Sequence, residues 1–210
     1  MCTMKILVVG SCTGEKTVRD CPAPLTHAIT ASSKTTLWNR LHTHRGHSDL
    51  GGNHRGSIFR KRLGEALWRK LEYPKEKIHT WGVRNSASKP VRLAEAALER
   101  EVSTYLGQMP FLWIGVPDAP SPKSDRAYLE LNSIALLSNF ERPAIDPPSP
   151  NWLGLQSGER TNRESGLWNT NHVEKPYDPK FLEKLRAYVS APLLEYLSSG
   201  PPVRPKLVRH

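Results

Sequence analysis

An arginine and a histidine placed four residues apart are the strongest candidates for chemistry in this sequence. Arg40 and His44 lie in the stretch SSKTTLWNRLHTHRG, in which Ser32 or Ser33 can cap a helix and Gly46 can end it. Residues i and i+4 of an α-helix project from one face, so both side chains can donate hydrogen bonds to the same phosphate. The spacing alone fits a solvated polar face equally well.

A second group of basic residues follows in a glycine-rich turn and the helix after it, GGNHRGSIFRKRLGEALW. Ser57 is a suitable helix N-cap, and three cations crowd the first turns behind it. Positive charge is unfavourable at a helix N-terminus, so this pattern predicts a nearby anion, for which nucleic acid is the obvious source. The candidate DNA contacts are Lys34, His54, Arg55, Arg60, Lys61 and Arg62.

Several segments in this order resemble the GIY-YIG endonucleases. The resemblance covers Leu25 to Val189 and rests on THAITASSKTTLWNRLHTHRG, GGNHRGSIFR, FLWIGVPD, YLELNSIALLSNF, PSPNWLGLQS and ESGLWNTNHV. It implies a metal-dependent endonuclease that hydrolyses phosphodiester bonds, most simply in double-stranded DNA. It also implies three catalytic residues, Arg40, His44 and Glu130, with Glu130 as the protein ligand of Mg²⁺ or another hard divalent cation.

The metal role of Glu130 has a chemical reason and a plain alternative. A hard cation prefers carboxylate oxygen, keeps several waters and neutralises charge on a scissile phosphate. Without the resemblance, the same residue is best interpreted as an exposed surface glutamate.

The beginning of the chain departs from the family pattern. The two motifs that give the family its name are absent, and with them the tyrosine that helps to activate the attacking water. Leu25–Ala31 resembles a remnant of the second hairpin strand, which indicates a fusion, a deletion or a gene-model error, and predicts impaired cleavage. One rival hypothesis is a catalytically inactive, basic nucleic-acid-binding protein.

Another rival is a nucleotide-binding protein built on Gly10–Thr17, GSCTGEKT. This segment has the first glycine, the lysine and the threonine of a phosphate-binding loop. Glu15 occupies the place of the second glycine, where a carboxylate would face the phosphates, so this interpretation is disfavoured.

Composition favours a globular protein with an acidic partner. The 210 residues carry a formal net charge of +10, with a pI near 9.7, which favours nucleic acid without singling it out. No long apolar run or signal sequence is evident, so we expect a cytoplasmic protein that does not enter a membrane. The oligomeric state is not predicted. We divide the chain into an atypical segment, 1–24, a nuclease-like domain, 25–199, and a basic tail, 200–210.

These residues need a scaffold, and the patterning predicts an α+β fold. It consists of a small antiparallel sheet flanked by helices, and it lacks the first hairpin strand of the family. The expected strands are Met4–Gly10 and Phe111–Val116, the latter paired with Ala28–Ala31. The expected helices are Lys34–Arg45, Ser57–Glu72, Val91–Leu106, Ser124–Leu137 and a C-terminal helix from Asp178 to about Tyr196. The segment Ser165–His172 either lines a cleft or satisfies buried backbone groups.

Overall fold

The fold was examined in a computed structural model, which describes residues 6–10, 37–47, 49, 51–74, 79–109, 111–116, 118 and 121–199. These residues are mostly helical, with six α-helices, two 3-10 turns and one strand pair. The strands are β1 (Ile6–Gly10) and β2 (Phe111–Gly115). The helices are α1 (Leu37–Arg45), α2 (Ile58–Lys70), α3 (Lys89–Gly107), α4 (Asp125–Leu137), α5 (Arg160–Ser165) and α6 (Phe181–Ser199), and the 3-10 turns are His54–Gly56 and Leu153–Gln156.

The described strand pair is parallel, a pairing that the sequence did not predict. β1 pairs with β2 in register from Ile6 opposite Phe111 to Gly10 opposite Gly115. A parallel pair needs a long crossover connection, and the segment between the strands, which includes α1, α2 and α3, is long enough to provide one. The predicted partner of β2, Ala28–Ala31, lies outside the described residues, so that pairing stays a prediction.

The predicted helix starts at Ser57 and Ser124 are confirmed. Ser57 Oγ accepts the backbone N–H of Arg60 at 3.1 Å, and Ser124 Oγ accepts that of Ala127 at 3.1 Å. These are the bonds expected of N-cap serines. The first predicted helix is confirmed over Leu37–Arg45, and its residues 34–36 lie outside the described part of the chain.

The C-terminal helix begins later than predicted. The carboxylate of Asp178 accepts the backbone N–H of Lys180 at 3.0 Å, so Asp178 organises a turn, and the helix proper starts at Phe181.

Two clusters of buried side chains hold the helices. The first joins α2 and α3 to Trp81 and Leu153, and the second joins α4 and α6 through Leu129, Phe181 and Val116. Two leucines at the edges of these elements are exposed, Leu71 by 50% and Leu155 by 38%. Leu71 follows the last residue of α2 and so leaves its apolar stripe, while Leu155 lies in a 3-10 turn whose buried side is occupied by its neighbours.

Candidate functional site

The end of α1 and the glycine-rich loop after it are built as the sequence predicts. Gly46 is in the left-handed region with a φ of +65°, and its N–H donates to the carbonyl of His42 at 2.8 Å. The loop then closes on itself through two hydrogen bonds between His47 and Gly51, of 2.7 and 2.9 Å. This geometry fixes the C-terminal turn of α1, which carries His44.

Arg60 ties that turn to the rest of the protein. Its side chain is fully buried and donates to the carbonyls of His44 and Arg45, at 3.0 and 2.8 Å. These carbonyls belong to the last turn of α1 and have no partner within the helix. The guanidinium of α2 therefore caps α1.

Glu99 of α3 provides the opposite charge for this arginine. Its Oε2 accepts from Arg60 Nε at 3.1 Å, and its Oε1 accepts from the backbone N–H and Nδ1 of His54, at 2.6 and 3.0 Å. Burial alone would raise the pKa of Glu99, but the hydrogen bonds from His54 and Arg60 outweigh burial and hold the pKa below its usual value. Glu99 is therefore the shared anion of four buried donor atoms, two from His54 and two from Arg60.

The loop needs glycine where it passes over Arg60. A Cβ on Gly52 would lie 2.4 Å from the Cζ atom of Arg60, far inside contact distance. We refer to Arg60, Glu99 and His54 together as the α1 clamp.

A second buried pair lies beside the α1 clamp. Arg55 donates from Nη1 and Nη2 to the two carboxylate oxygens of Glu95, at 2.6 and 2.9 Å, and both side chains are almost completely buried. Thr80 donates to the same carboxylate at 2.8 Å. Burial would raise the pKa of Glu95, but the hydrogen bonds from Arg55 and Thr80 bring it below its usual value.

The residues His54, Arg55 and Arg60, predicted to contact DNA, bond to groups inside the protein. His54 and Arg60 are buried, and the Arg55 side chain is 4% exposed. Their contact with DNA stays a prediction. The positive charge before and within α2 does have an anion nearby, as predicted, but the anion is internal and comes from α3. A signal was present in the sequence, since Glu95 and Glu99 are four residues apart on one helix face.

Two other candidate DNA contacts, Lys61 and Arg62, are only partly buried. Arg62 donates to Thr170 Oγ1 at 3.2 Å and lies 3.7 Å from the Glu159 carboxylate, and its side chain is 17% exposed. The Lys61 side chain, also partly exposed, passes over Gly82. Lys34 lies outside the described residues, so its role stays a prediction.

His44 contacts the start of α2. Its Nδ1 lies 2.7 Å from Ser57 Oγ, and its ring meets that of Phe59 edge to face, with 6.0 Å between centroids. Phe59 in turn meets Trp168 edge to face, with 6.1 Å between ring centroids.

Asn162 supports the loop of Trp168 by donating to the carbonyls of Leu167 and Asn169, at 2.9 and 3.1 Å. Of the two interpretations of Ser165–His172, these contacts favour the one in which polar side chains satisfy backbone groups.

Glu130 lies on α4 in an environment that disfavours its charge. Its partly buried carboxyl makes no hydrogen bond or ion pair within the described residues. Burial raises its pKa to about 7, against a smaller lowering effect from Arg126 one turn earlier. Arg126 is itself buried and bonded to Asp118, with 2.6 Å from Nη2 to the Asp118 carbonyl and 3.0 Å to the carboxylate. Glu130 is therefore a carboxylate that the fold alone does not satisfy.

The three residues that the resemblance implies to be catalytic, Arg40, His44 and Glu130, belong to two helices, α1 and α4. α1 packs against α2 and α3, whereas α4 packs against β1 and α6. The Arg40 side chain is not among those described, so its place beside His44 follows from helix spacing alone.

A comparison with known protein families shows which family this chain belongs to. The family model described as GIY-YIG domain matches residues 25–193. The chain belongs to the GIY-YIG family. Neither a curated protein nor a solved structure matches it. The resemblance noted from Leu25 to Val189 is thereby confirmed, and within this GIY-YIG domain Glu130 falls on α4 and His44 on α1.

Two further properties concern the part of the chain that the structure describes. In it, no group of three or more histidine, cysteine, aspartate and glutamate side chains can hold a metal ion. No helix in the same part of the chain is long and apolar enough to cross a membrane.

Proposed function

We propose that this GIY-YIG domain is a Mg²⁺-dependent endonuclease that hydrolyses phosphodiester bonds in double-stranded DNA. The observation that carries the proposal is the carboxyl of Glu130, which has a raised pKa and no protein partner among the described residues, at a position where the family resemblance expects a metal ligand. Carboxyls with strongly shifted pKa values cluster at functional sites, where the shift serves binding or catalysis and not the stability of the fold.

The donor chemistry fits a hard cation. Magnesium is commonly bound by one or two carboxylates and keeps the rest of its shell as water, which suits a single glutamate. The bound ion would shield the phosphate and lower the pKa of a water molecule. Glu130 would hold the ion.

The other two proposed residues act on the phosphate. Arg40 would stabilise the charge that develops on the phosphoryl oxygens, and His44 would donate a hydrogen bond to phosphate or assist proton transfer. The α1 clamp supports this role because it fixes the turn that carries His44. The family tyrosine is absent from the sequence, and losing a group that orients the nucleophile typically costs about 10²–10⁴-fold, so we propose weak cleavage.

Cleavage of supercoiled plasmid DNA with Mg²⁺ or EDTA tests the proposal. We expect DNA binding at low salt and slow cleavage that needs Mg²⁺ and is lost in Glu130→Gln. Glu101→Gln, on the exposed side of α3, is the matched control and should cleave like wild type. Binding without any cleavage would favour the rival hypothesis, a catalytically inactive nucleic-acid-binding protein, and absence of binding would contradict both.

A further inference from the structure

The hydroxyl of Ser57 is shared between two helices. Its Oγ caps α2 by accepting the Arg60 N–H at 3.1 Å, and the same Oγ lies 2.7 Å from Nδ1 of His44 on α1. Ser57 is only 3% exposed, so its hydroxyl must find its hydrogen-bond partners within the protein rather than in bulk water. A single buried oxygen therefore joins the cap of one helix to the imidazole on another.

The position of the hydroxyl hydrogen follows from these two contacts. A hydroxyl has one hydrogen to donate, and here its oxygen already accepts from a backbone N–H. Among the described residues, His44 Nδ1 is the acceptor within reach of that hydrogen. If Nδ1 carried its own hydrogen, the buried hydroxyl would have no acceptor, an arrangement that proteins avoid. These contacts favour Ser57 as the donor to Nδ1, and in a neutral ring the remaining hydrogen would then be on Nε2.

We propose that Ser57 is a positioning residue that holds His44 as the Nε2–H tautomer. In this form His44 donates a hydrogen bond through Nε2 to a phosphate oxygen and does not serve as a general base through that nitrogen. The inference rests on the proposed function, because it chooses between the two roles left open there for His44.

The α1 clamp holds His44 and Ser57 in fixed positions relative to each other. Arg60 holds the backbone carbonyl of His44 at 3.0 Å, and the residue that receives the cap from Ser57 is this same Arg60. The imidazole and the hydroxyl are therefore set by one rigid connection between α1 and α2. The tautomer is coupled to fold elements that lie outside the reacting groups themselves.

Nitrogen NMR of the histidine rings tests the tautomer directly in the full chain. The His44 signals are assigned by their loss in His44→Gln. We expect wild-type His44 to show a protonated Nε2 and an unprotonated Nδ1. Ser57→Thr, which keeps a hydroxyl, should retain this pattern, and Ser57→Ala should give a mixture of tautomers. Ser57→Asp keeps a helix-capping oxygen but has no hydrogen to donate when ionised, so the hydrogen should move to Nδ1.

A matched serine separates this role from helix capping. Ser124 caps α4 with the same 3.1 Å bond and is also buried, at 7% exposure. Ser124→Ala should lower stability about as much as Ser57→Ala and leave the nitrogen signals of His44 unchanged. A wild-type His44 with its hydrogen on Nδ1 overturns the proposal, as do unchanged His44 signals in both Ser57→Ala and Ser57→Asp.

Cleavage kinetics provide the second readout. Ser57→Ala should lower kcat by about 100-fold, the scale expected for a misplaced catalytic group, with KM little changed, and Ser57→Thr should restore the rate. If wild type does not cleave DNA at all, the proposed function fails, while the nitrogen signals still decide whether Ser57 sets the tautomer.

Discussion

Replacing Glu130 by glutamine should stabilise the protein at neutral and higher pH. In the folded state burial raises the pKa of this carboxyl from its ordinary value of 4.5 to about 7. Folding at pH 8 thus requires a charged carboxylate in an environment that favours the neutral acid. Glutamine is close to the same size, stays neutral and removes this requirement.

The size of the effect follows from linkage. Each pKa unit corresponds to about 1.4 kcal/mol, so a shift from 4.5 to about 7 sets a ceiling of roughly 3.5 kcal/mol. The side chain is only partly buried, so solvent screens its charge and we expect about 1–2 kcal/mol. Because the folded state binds the proton more tightly, stability is full below pH 4.5, falls as the pH rises to about 7, and stays low above it.

Urea unfolding of wild type and Glu130→Gln between pH 4.5 and 8.5 measures this difference. Comparing the two proteins at each pH removes the contributions of all other carboxylates. We expect equal stability near pH 4.5 and a growing advantage of the variant up to about pH 7. Saturating Mg²⁺ should reduce that advantage at pH 8, because an ion bound to the carboxylate stabilises the folded state.

Two outcomes would refute the reasoning. If Glu130→Gln is less stable than wild type at pH 8, the carboxylate has a stabilising partner that the proposed site does not include. If the difference does not vary with pH, the pKa of Glu130 is not raised. Glu101→Gln, an exposed replacement on α3, should show little change at any pH and controls for the loss of one charge.

Three further changes test the clamp and the DNA-binding surface. Glu99→Gln should destabilise the fold by about 3–5 kcal/mol in urea unfolding, because it leaves a buried guanidinium without its anion; a loss below about 1 kcal/mol would contradict the clamp. Gly52→Ala should cost about 1–3 kcal/mol through overlap with that guanidinium, whereas Gly107→Ala, with no atom within 4 Å of the new Cβ, should cost nothing; equal effects would contradict the close approach. Neutralising Lys61 and Arg62 together should flatten the salt dependence of DNA affinity by roughly 1–2 in the log–log slope, and an unchanged slope would exclude this surface.

Local sequence signals predicted the helices well. Ser57 and Ser124 were identifiable as caps because an N-cap bond involves residues three apart in sequence. Gly46 was identifiable as a helix end because its left-handed backbone favours glycine. Signals of this kind require no knowledge of the tertiary fold.

The sequence did not indicate contacts whose partners are distant in the chain. The ion pair of Arg60 was not predicted, because its anion, Glu99, lies on another helix. The parallel pairing of β1 with β2 depends on a long crossover that no local pattern specifies. Similarly, the raised pKa of Glu130 depends on burial by elements packed around α4, so the sequence indicated a carboxylate at this place but not its unusual environment.

The proposed function requires His44 of α1 and Glu130 of α4 to belong to one metal-dependent site, and paramagnetic NMR with Mn²⁺ measures this most directly. Mn²⁺ replaces Mg²⁺ at oxygen sites and broadens the signals of nearby nuclei. We predict that Mn²⁺ broadens the ring signals of His44 in wild type and that the broadening disappears in Glu130→Gln. Sharp His44 signals at Mn²⁺ saturation, or broadening that persists in Glu130→Gln, would contradict a shared site.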